Sequence, residues 1–136
     1  MLEEHQLLSV EARDGVGTGI SAADRARTLR VAASPAAGAQ ELVCPGHIPV
    51  VTPLAEKVPT PPAAALALCQ KAGAWRAAAM CHVLAENGDV AGSAELRALA
   101  EELGLPFVTA DEVLLPEGGT RRHSITIEHA LMSIGA

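Results

Sequence analysis

The feature that most constrains the fold is a glycine-punctuated turn that runs directly into a helix start. Glycines alternate with other residues over positions 15–19, and glycine lets a backbone adopt positive φ and come close to a neighbouring group. Ser21 is expected to cap the helix by accepting from the amide of Asp24. The Asp24 carboxylate is in turn expected to reach back to the amide of Ser21, as in an acidic capping box.

A strand precedes this turn and a helix follows it. Apolar and polar residues alternate over positions 8–13, which is the period of a half-buried strand. The helix is predicted from Ala22 to about Ala33 and ends before Pro35, because the residue before a proline avoids the helical region. The sequence therefore predicts a strand, a tight turn and a capped helix in succession.

Two interpretations of the turn stay open. The free amides of a first helical turn and the positive end of the helix dipole favour an anion, and Arg25 and Arg27 add positive charge nearby. A phosphate or carboxylate ligand is chemically reasonable there. The same residues are also explained by a tight strand-to-helix connection that binds nothing.

The run of residues 8–28, LSVEARDGVGTGISAADRART, resembles the central motif of 3,4-dihydroxy-2-butanone-4-phosphate synthase. That family comprises riboflavin-pathway lyases that act on ribulose 5-phosphate. The resemblance continues through Cys-Pro-Gly-His at 44–47, a helix ending at 72–73, a strand carrying Cys81 and a helix–strand pair ending near Leu114. It implies an α+β protein, a shortened synthase-like fold with a mixed sheet flanked by helices.

The resemblance also implies chemistry that this sequence lacks. The family binds magnesium and uses an acidic N-terminal loop, a Gly-His-Thr-Glu segment and a glutamate after the strand cysteine. Here the sequence begins too late for that loop, residues 60–63 read Thr-Pro-Pro-Ala, and His82 follows Cys81. Pro61 stands at the position of the metal-binding histidine, and proline cannot coordinate a metal. We expect no magnesium site, no cofactor and loss of the ordinary synthase reaction.

The resemblance leaves a reduced set of candidate site residues. His82 and His47 are the candidate catalytic residues, because imidazole can move a proton near neutral pH. For each, a histidine hydrogen-bonded to backbone is the competing interpretation. The candidate substrate-binding residues are Thr18, Ser21, Asp24, Arg25, Thr28 and Cys81.

Two functions from different classes follow. The first is a metal-independent enzyme of isomerase, cyclase or lyase type that acts on a small polar or anionic metabolite in a specialised biosynthetic pathway. The second is a non-catalytic binding or scaffold subunit. Because family members are homodimers, we expect a homodimer or a partner chain that supplies the missing N-terminal half.

Composition narrows the class further. The 136 residues include one Trp, one Phe and no Tyr, so the core must be built from Ala, Val, Leu and Ile. Trp75 is expected to fill a core or an interface rather than to form a substrate platform. Few aromatic residues and a net charge of −6 argue against nucleic acid as a ligand.

The same sequence predicts the compartment and the domain organisation. Its first residues lack the basic and apolar regions of a signal peptide and no stretch is long and apolar enough to span a bilayer, so we expect a cytoplasmic protein with reduced cysteines. One domain is expected over 1–136, with a synthase-like core at 8–114 and a divergent extension at 115–136. Further elements are expected as follows: strands at 47–51, 77–84, 106–109 and 123–128, a turn at 86–89, helices at 63–72 (capped by Thr60) and 93–103, and a helical turn at 111–114.

Overall fold

The computed structural model describes residues 4–55 and 58–115. The expected strand at 123–128 and nearly all of the 115–136 extension lie outside this range. The elements in chain order are β1 (Glu4–Gln6), β2 (Val10–Ala12), α1 (Ala22–Ala33), a 3₁₀ turn (Ala39–Glu41), β3 (Leu42–Ile48), β4 (Val51–Pro53), α2 (Pro61–Lys71), α3 (Ser93–Leu103) and α4 (Ala110–Leu114).

The described strands form an interrupted antiparallel ribbon. β1 pairs with β4, with His5 opposite Thr52, and β2 pairs with β3, with Ala12 opposite Leu42. The chain runs through β1 and β2 and returns through β3 and β4, so the β2–β3 pair and the β1–β4 pair follow one another along the same ribbon. The fold is α+β as expected. Its described strands, however, make two two-stranded antiparallel sheets where a mixed sheet was expected.

Helices cover this ribbon through small side chains. α1 packs on β2 and β3, while α2 packs on β4 and α4. The buried apolar residues are mostly alanines, together with one leucine and one valine: Ala12, Ala63, Ala64, Ala65, Ala91, Leu96 and Val113. The expectation of a core without aromatic residues is confirmed. Trp75 is 67% exposed, which excludes the core and leaves an interface as the remaining prediction for this residue.

The helix boundaries confirm the capping predictions. α1 spans Ala22–Ala33, as predicted. Thr60 caps α2 by accepting from the amide of Ala63 at 3.3 Å. α3 ends at Gly104, which adopts the left-handed conformation with φ of 64°. These ends are set by local hydrogen bonds and by glycine, and the sequence carries both signals.

Two predicted strands do not form. Residues 77–83 have no regular structure, and the neighbouring Leu84 makes only an isolated bridge to Val90. Residues 106–109 also lack strand pairing, and Thr109 instead caps α4. A strand needs a partner for its backbone groups, and alanine favours strands poorly, so apolar composition alone was misleading at 77–84. The expected turn at 86–89 is present, with Gly88 at φ of 87°.

The expected strand at 47–51 is also divided differently. β3 ends at Ile48 and β4 begins at Val51, with the break at Pro49 and Val50. Proline has no amide hydrogen for the ladder, which favours the interruption.

Among the described residues, no helix is both long enough and apolar enough to cross a bilayer.

Candidate functional site

The site is built on a register shift in the β2–β3 pair. Val10 lies opposite Ile48, whereas the next residue, Glu11, lies opposite Val43. The intervening residues of β3, Cys-Pro-Gly-His at 44–47, therefore form a bulge in the ladder. Bulges redirect side chains and occur often beside functional sites.

Gly46 holds this bulge close to β2. Its amide donates to the backbone carbonyl of Ser9 at 3.1 Å and also lies 3.2 Å from the Ser9 hydroxyl. A Cβ at position 46 would overlap backbone atoms of Val10 and Glu11. Only glycine allows the two backbones to approach this closely, and the approach brings the next residue, His47, over β2.

His47 contacts Glu11 across the bulge. The distance from His47 Nδ1 to Glu11 Oε2 is 2.5 Å, and the side chains are 49% and 14% exposed, respectively. A carboxylate at Nδ1 orients the imidazole and leaves Nε2 as the ring nitrogen able to exchange a proton with a ligand. Glu11 was not among the residues singled out from the sequence. The signal was its place on the polar side of the alternating strand.

The glycine-rich turn closes against this pair. Gly19 is buried and has φ of 76°, and a Cβ there would overlap both Glu11 Oε2 and His47 Nδ1. The turn motif and the Cys-Pro-Gly-His segment, separated in the sequence, therefore meet at one place. The sequence-based hypothesis that His47 belongs with the glycine-rich turn agrees with this geometry.

The carboxylate of Asp24 accepts hydrogen bonds from the backbone amides of the turn. It accepts from Gly17 at 3.2 Å and from Gly19 at 3.1 Å. The bond from the Gly17 amide is the main reason that the pKa of the Asp24 carboxyl lies below its usual value. Ser21 caps α1 as predicted, accepting from the Asp24 amide at 3.1 Å. The predicted bond from the Asp24 carboxylate to the Ser21 amide is wrong, because that carboxylate reaches Gly17 and Gly19 instead.

This arrangement argues against the hypothesis that the amides of the turn bind an anionic ligand. Two amides that could have faced a phosphate already donate to the protein's own carboxylate. The Thr18 hydroxyl accepts from the amide of Ile20 at 3.3 Å, which also tightens the turn. Arg25 remains exposed at the start of α1, whereas Arg27 donates from Nε to the carbonyl of Asp14 at 2.6 Å. The geometry favours the interpretation of the turn as a structural connection that borders the site.

Thr28 lies inside the protein. Its side chain is among the most deeply buried, at 1% exposure, and its hydroxyl accepts from the amide of Ala12 at 3.1 Å. This bond joins α1 to β2. The position favours a structural contribution over the substrate contact that the family resemblance implied.

Cys81 and His82 lie in a different part of the chain, after α2. Both are exposed, on the segment that forms no strand. The expectation that they sit on a buried strand is therefore wrong. Asp24 is linked to the Glu11–His47 pair through Gly19, whereas Cys81 and His82 belong to a separate segment of the chain.

A magnesium site does not fit the residues at the start of α2. Thr60 uses its hydroxyl as the helix cap, and the following Pro61, Pro62 and Ala63 carry no oxygen or nitrogen ligand in their side chains. Within residues 4–55 and 58–115, no three His, Cys, Asp or Glu side chains are grouped so as to hold a metal ion. The donor set therefore disagrees with the metal use that the family resemblance implies.

Comparison with known proteins defines the class. The family model of 3,4-dihydroxy-2-butanone 4-phosphate synthase matches residues 2–115. The riboflavin biosynthesis protein RibBA of Mycobacterium ulcerans is 39% identical over 115 residues, covering 79% of this chain and 26% of that protein. The Mycobacterium tuberculosis RibBA is 38% identical over the same length and shares of each chain.

Solved structures show the same fold. The 3,4-dihydroxy-2-butanone 4-phosphate synthase of Candida albicans aligns with a TM-score of 0.75 at 24% identity, over 80% of this chain and 58% of that one. The two-domain synthase RibBX of A. baumannii aligns with a TM-score of 0.67 at 34% identity, over 74% of this chain and 30% of that one.

The chain is a synthase-like α+β protein and belongs to the 3,4-dihydroxy-2-butanone 4-phosphate synthase family. It spans about a quarter, 26%, of the length of the curated RibBA relatives that it matches.

Proposed function

We propose that this chain is a divergent synthase-family enzyme that binds a small polar or anionic metabolite beside Glu11 and His47 and moves a proton there. The reaction is of isomerase, cyclase or lyase type and takes place without a metal or cofactor, in a specialised biosynthetic pathway in the cytoplasm. The observation that carries the proposal is the 2.5 Å contact between His47 Nδ1 and Glu11 Oε2 at the foot of the glycine-rich turn.

On this proposal Glu11 and His47 have different roles in the proton transfer. Glu11 is largely buried and orients the ring through Nδ1, while the half-exposed His47 presents Nε2 to a ligand. A positioned imidazole of this kind can take a proton from carbon next to a carbonyl and return it elsewhere. The exposed Arg25 supplies positive charge at the start of α1 for an anionic metabolite. His82 remains a second candidate for proton transfer.

The donor set at the start of α2 supports a reaction other than the metal-dependent lyase reaction. Proline and alanine at 61–63 offer no ligand for magnesium. The matching family is named for a phosphorylated dihydroxyketone, 3,4-dihydroxy-2-butanone 4-phosphate, and this supports a small phosphorylated or related polar metabolite as the ligand class.

A non-catalytic binding or scaffold subunit is the second candidate. It is favoured by large apolar side chains at the surface, among them Leu8 at 73% and Trp75 at 67% exposure. Exposed apolar side chains become buried where they form one patch against a partner chain. On this proposal the chain forms a homodimer or binds a partner chain, and the Glu11–His47 pair is a remnant.

Proton exchange in D₂O tests the first proposal. The purified chain is incubated with ribulose 5-phosphate and with a panel of other ketoses and their phosphates, and deuterium incorporation is followed by NMR. We expect incorporation into at least one compound, its loss in His47→Gln, and no release of formate with or without magnesium. The variant His82→Gln, measured in parallel, shows whether His82 takes part in the proton transfer.

Three outcomes would contradict the proposal. They are equal incorporation by wild type and His47→Gln, no incorporation across the panel, and formate release that depends on magnesium. If both histidine variants match wild type and a partner chain co-purifies with the protein, the scaffold proposal is favoured instead.

A further inference from the structure

Asp24 fixes the backbone of the glycine-rich turn at two points. Its Oδ1 accepts from the amide of Gly17 and its Oδ2 accepts from the amide of Gly19. Asp24 is itself anchored, because its own amide donates to the N-cap hydroxyl of Ser21. The turn is therefore tied to the first turn of α1 through a single carboxylate.

Gly19 transmits this restraint to the site. It is buried, adopts the left-handed conformation, and lies so close to Glu11 Oε2 and His47 Nδ1 that a Cβ would overlap both atoms. These are the two atoms that form the 2.5 Å contact. A movement of Gly19 would thus change the space in which the carboxylate and the imidazole meet.

We propose that Asp24 is a positioning residue for the Glu11–His47 pair and acts on it through the backbone of Gly19. The inference rests on the proposed function, in which this pair handles the proton. It assigns Asp24 a task other than the substrate contact that the family resemblance implied. The amide bonds that lower the pKa of the Asp24 carboxyl are the same bonds that hold the turn, so they favour the charged form in the positioned state.

The test uses neutral variants that differ in acceptor atoms. Asp24→Asn keeps one acceptor oxygen for the turn amides, whereas Asp24→Ala keeps none, and both remove the same charge. Asp14→Asn removes a carboxylate from the same connection and is the matched control. The readout is the Nδ1–H signal of His47 in ¹H–¹⁵N spectra of the ¹⁵N-labelled chain, assigned with His47→Gln.

We expect the Nδ1–H proton of His47 to exchange with solvent about tenfold faster in Asp24→Ala, the factor that corresponds to one ordinary hydrogen bond. Asp24→Asn should fall between Asp24→Ala and wild type, and Asp14→Asn should match wild type. Equal effects of Asp24→Asn and Asp24→Ala would assign the effect to charge and overturn the proposal. Wild-type exchange in Asp24→Ala would also overturn it.

If Asp24→Ala does not fold, the comparison of Asp24→Asn with Asp14→Asn decides: faster exchange in Asp24→Asn alone supports the proposal, and equal exchange overturns it. No substrate is needed, so this result is separate from the test of function. A Glu11→Gln variant that leaves the His47 signal unchanged would contradict the pair itself, and hence the proposed function.

Discussion

The buried hydroxyl of Thr28 accepts a hydrogen bond from the backbone amide of Ala12 at 3.1 Å. It joins the middle of α1 to the end of β2, next to Glu11. Both residues are almost fully buried, at 1% exposure each. The bond therefore satisfies an amide that has no access to water and holds the strand beneath the candidate site.

Replacing Thr28 by valine keeps the shape of the side chain and removes the acceptor. Because the Ala12 amide is then buried without a partner, we expect the free energy of unfolding to fall by about 1–3 kcal/mol. Thr28→Ser keeps the hydroxyl and should cost less. Urea unfolding of both variants measures the difference, and a Thr28→Val variant as stable as Thr28→Ser would contradict the prediction.

Replacing Gly19 by alanine should disturb both the fold and the site. The left-handed backbone costs about 1–2 kcal/mol for an alanine, and the added Cβ also overlaps Glu11 and His47. Gly73→Ala is the matched control, since Gly73 has φ of 70° but no atom within 4 Å of the Cβ position. We expect Gly19→Ala to be the less stable of the two by urea unfolding. Equal losses would show that Gly19 does not press on the pair.

Asp24 should make stability depend on acidic pH. Hydrogen bonds from the turn amides hold the pKa of the Asp24 carboxyl below its ordinary value in the folded protein, so folding favours the ionised carboxyl. This contribution is complete above the unfolded pKa and is lost as the pH falls through the folded pKa. We expect Asp24→Asn to be less stable than wild type at pH 6, with the gap narrowing toward pH 2. A gap that is unchanged over this range, in urea midpoints taken beside Asp14→Asn, would refute the prediction.

His47 should matter for proton transfer more than for stability. The pair with Glu11 is partly exposed, and exposed ion pairs contribute only about 0–1 kcal/mol. We expect His47→Gln to keep its unfolding midpoint within that margin, while proton exchange on the responsive compound falls about 10²- to 10⁴-fold, as for loss of a general base. A large loss of stability with little loss of exchange would assign His47 to the fold.

Helices were predicted more accurately than strands, because a helix makes its hydrogen bonds within one segment whereas a strand needs a partner from another segment. α1 was predicted from Ala22 to about Ala33 and spans Ala22–Ala33, because Ser21 caps it and Pro35 follows it, both within the same short stretch. The strand expected at 77–84 had the right apolar run but no partner strand, and it does not form. A strand is completed by another part of the chain, which a local pattern does not specify.

The residues of the candidate site could be predicted only in part from the sequence. His47 and the glycine-rich turn were both singled out from the sequence, but the contact that joins them was not. Glu11 lies 36 positions from His47, and the two meet only because the register of β2 against β3 shifts between Val10 and Glu11. Asp24 was also singled out, with its carboxylate assigned to the wrong amide.

The sequence by itself determined the family, the capped helices and the small-residue core, because each of these depends on residue types at short spacing. Tertiary structure alone decided that Glu11 would meet His47, that Gly19 would close against them, and that Thr28 would be buried. Those outcomes depend on the approach of two backbones at the bulge, and such an approach is set by strand register and packing rather than by neighbours along the chain.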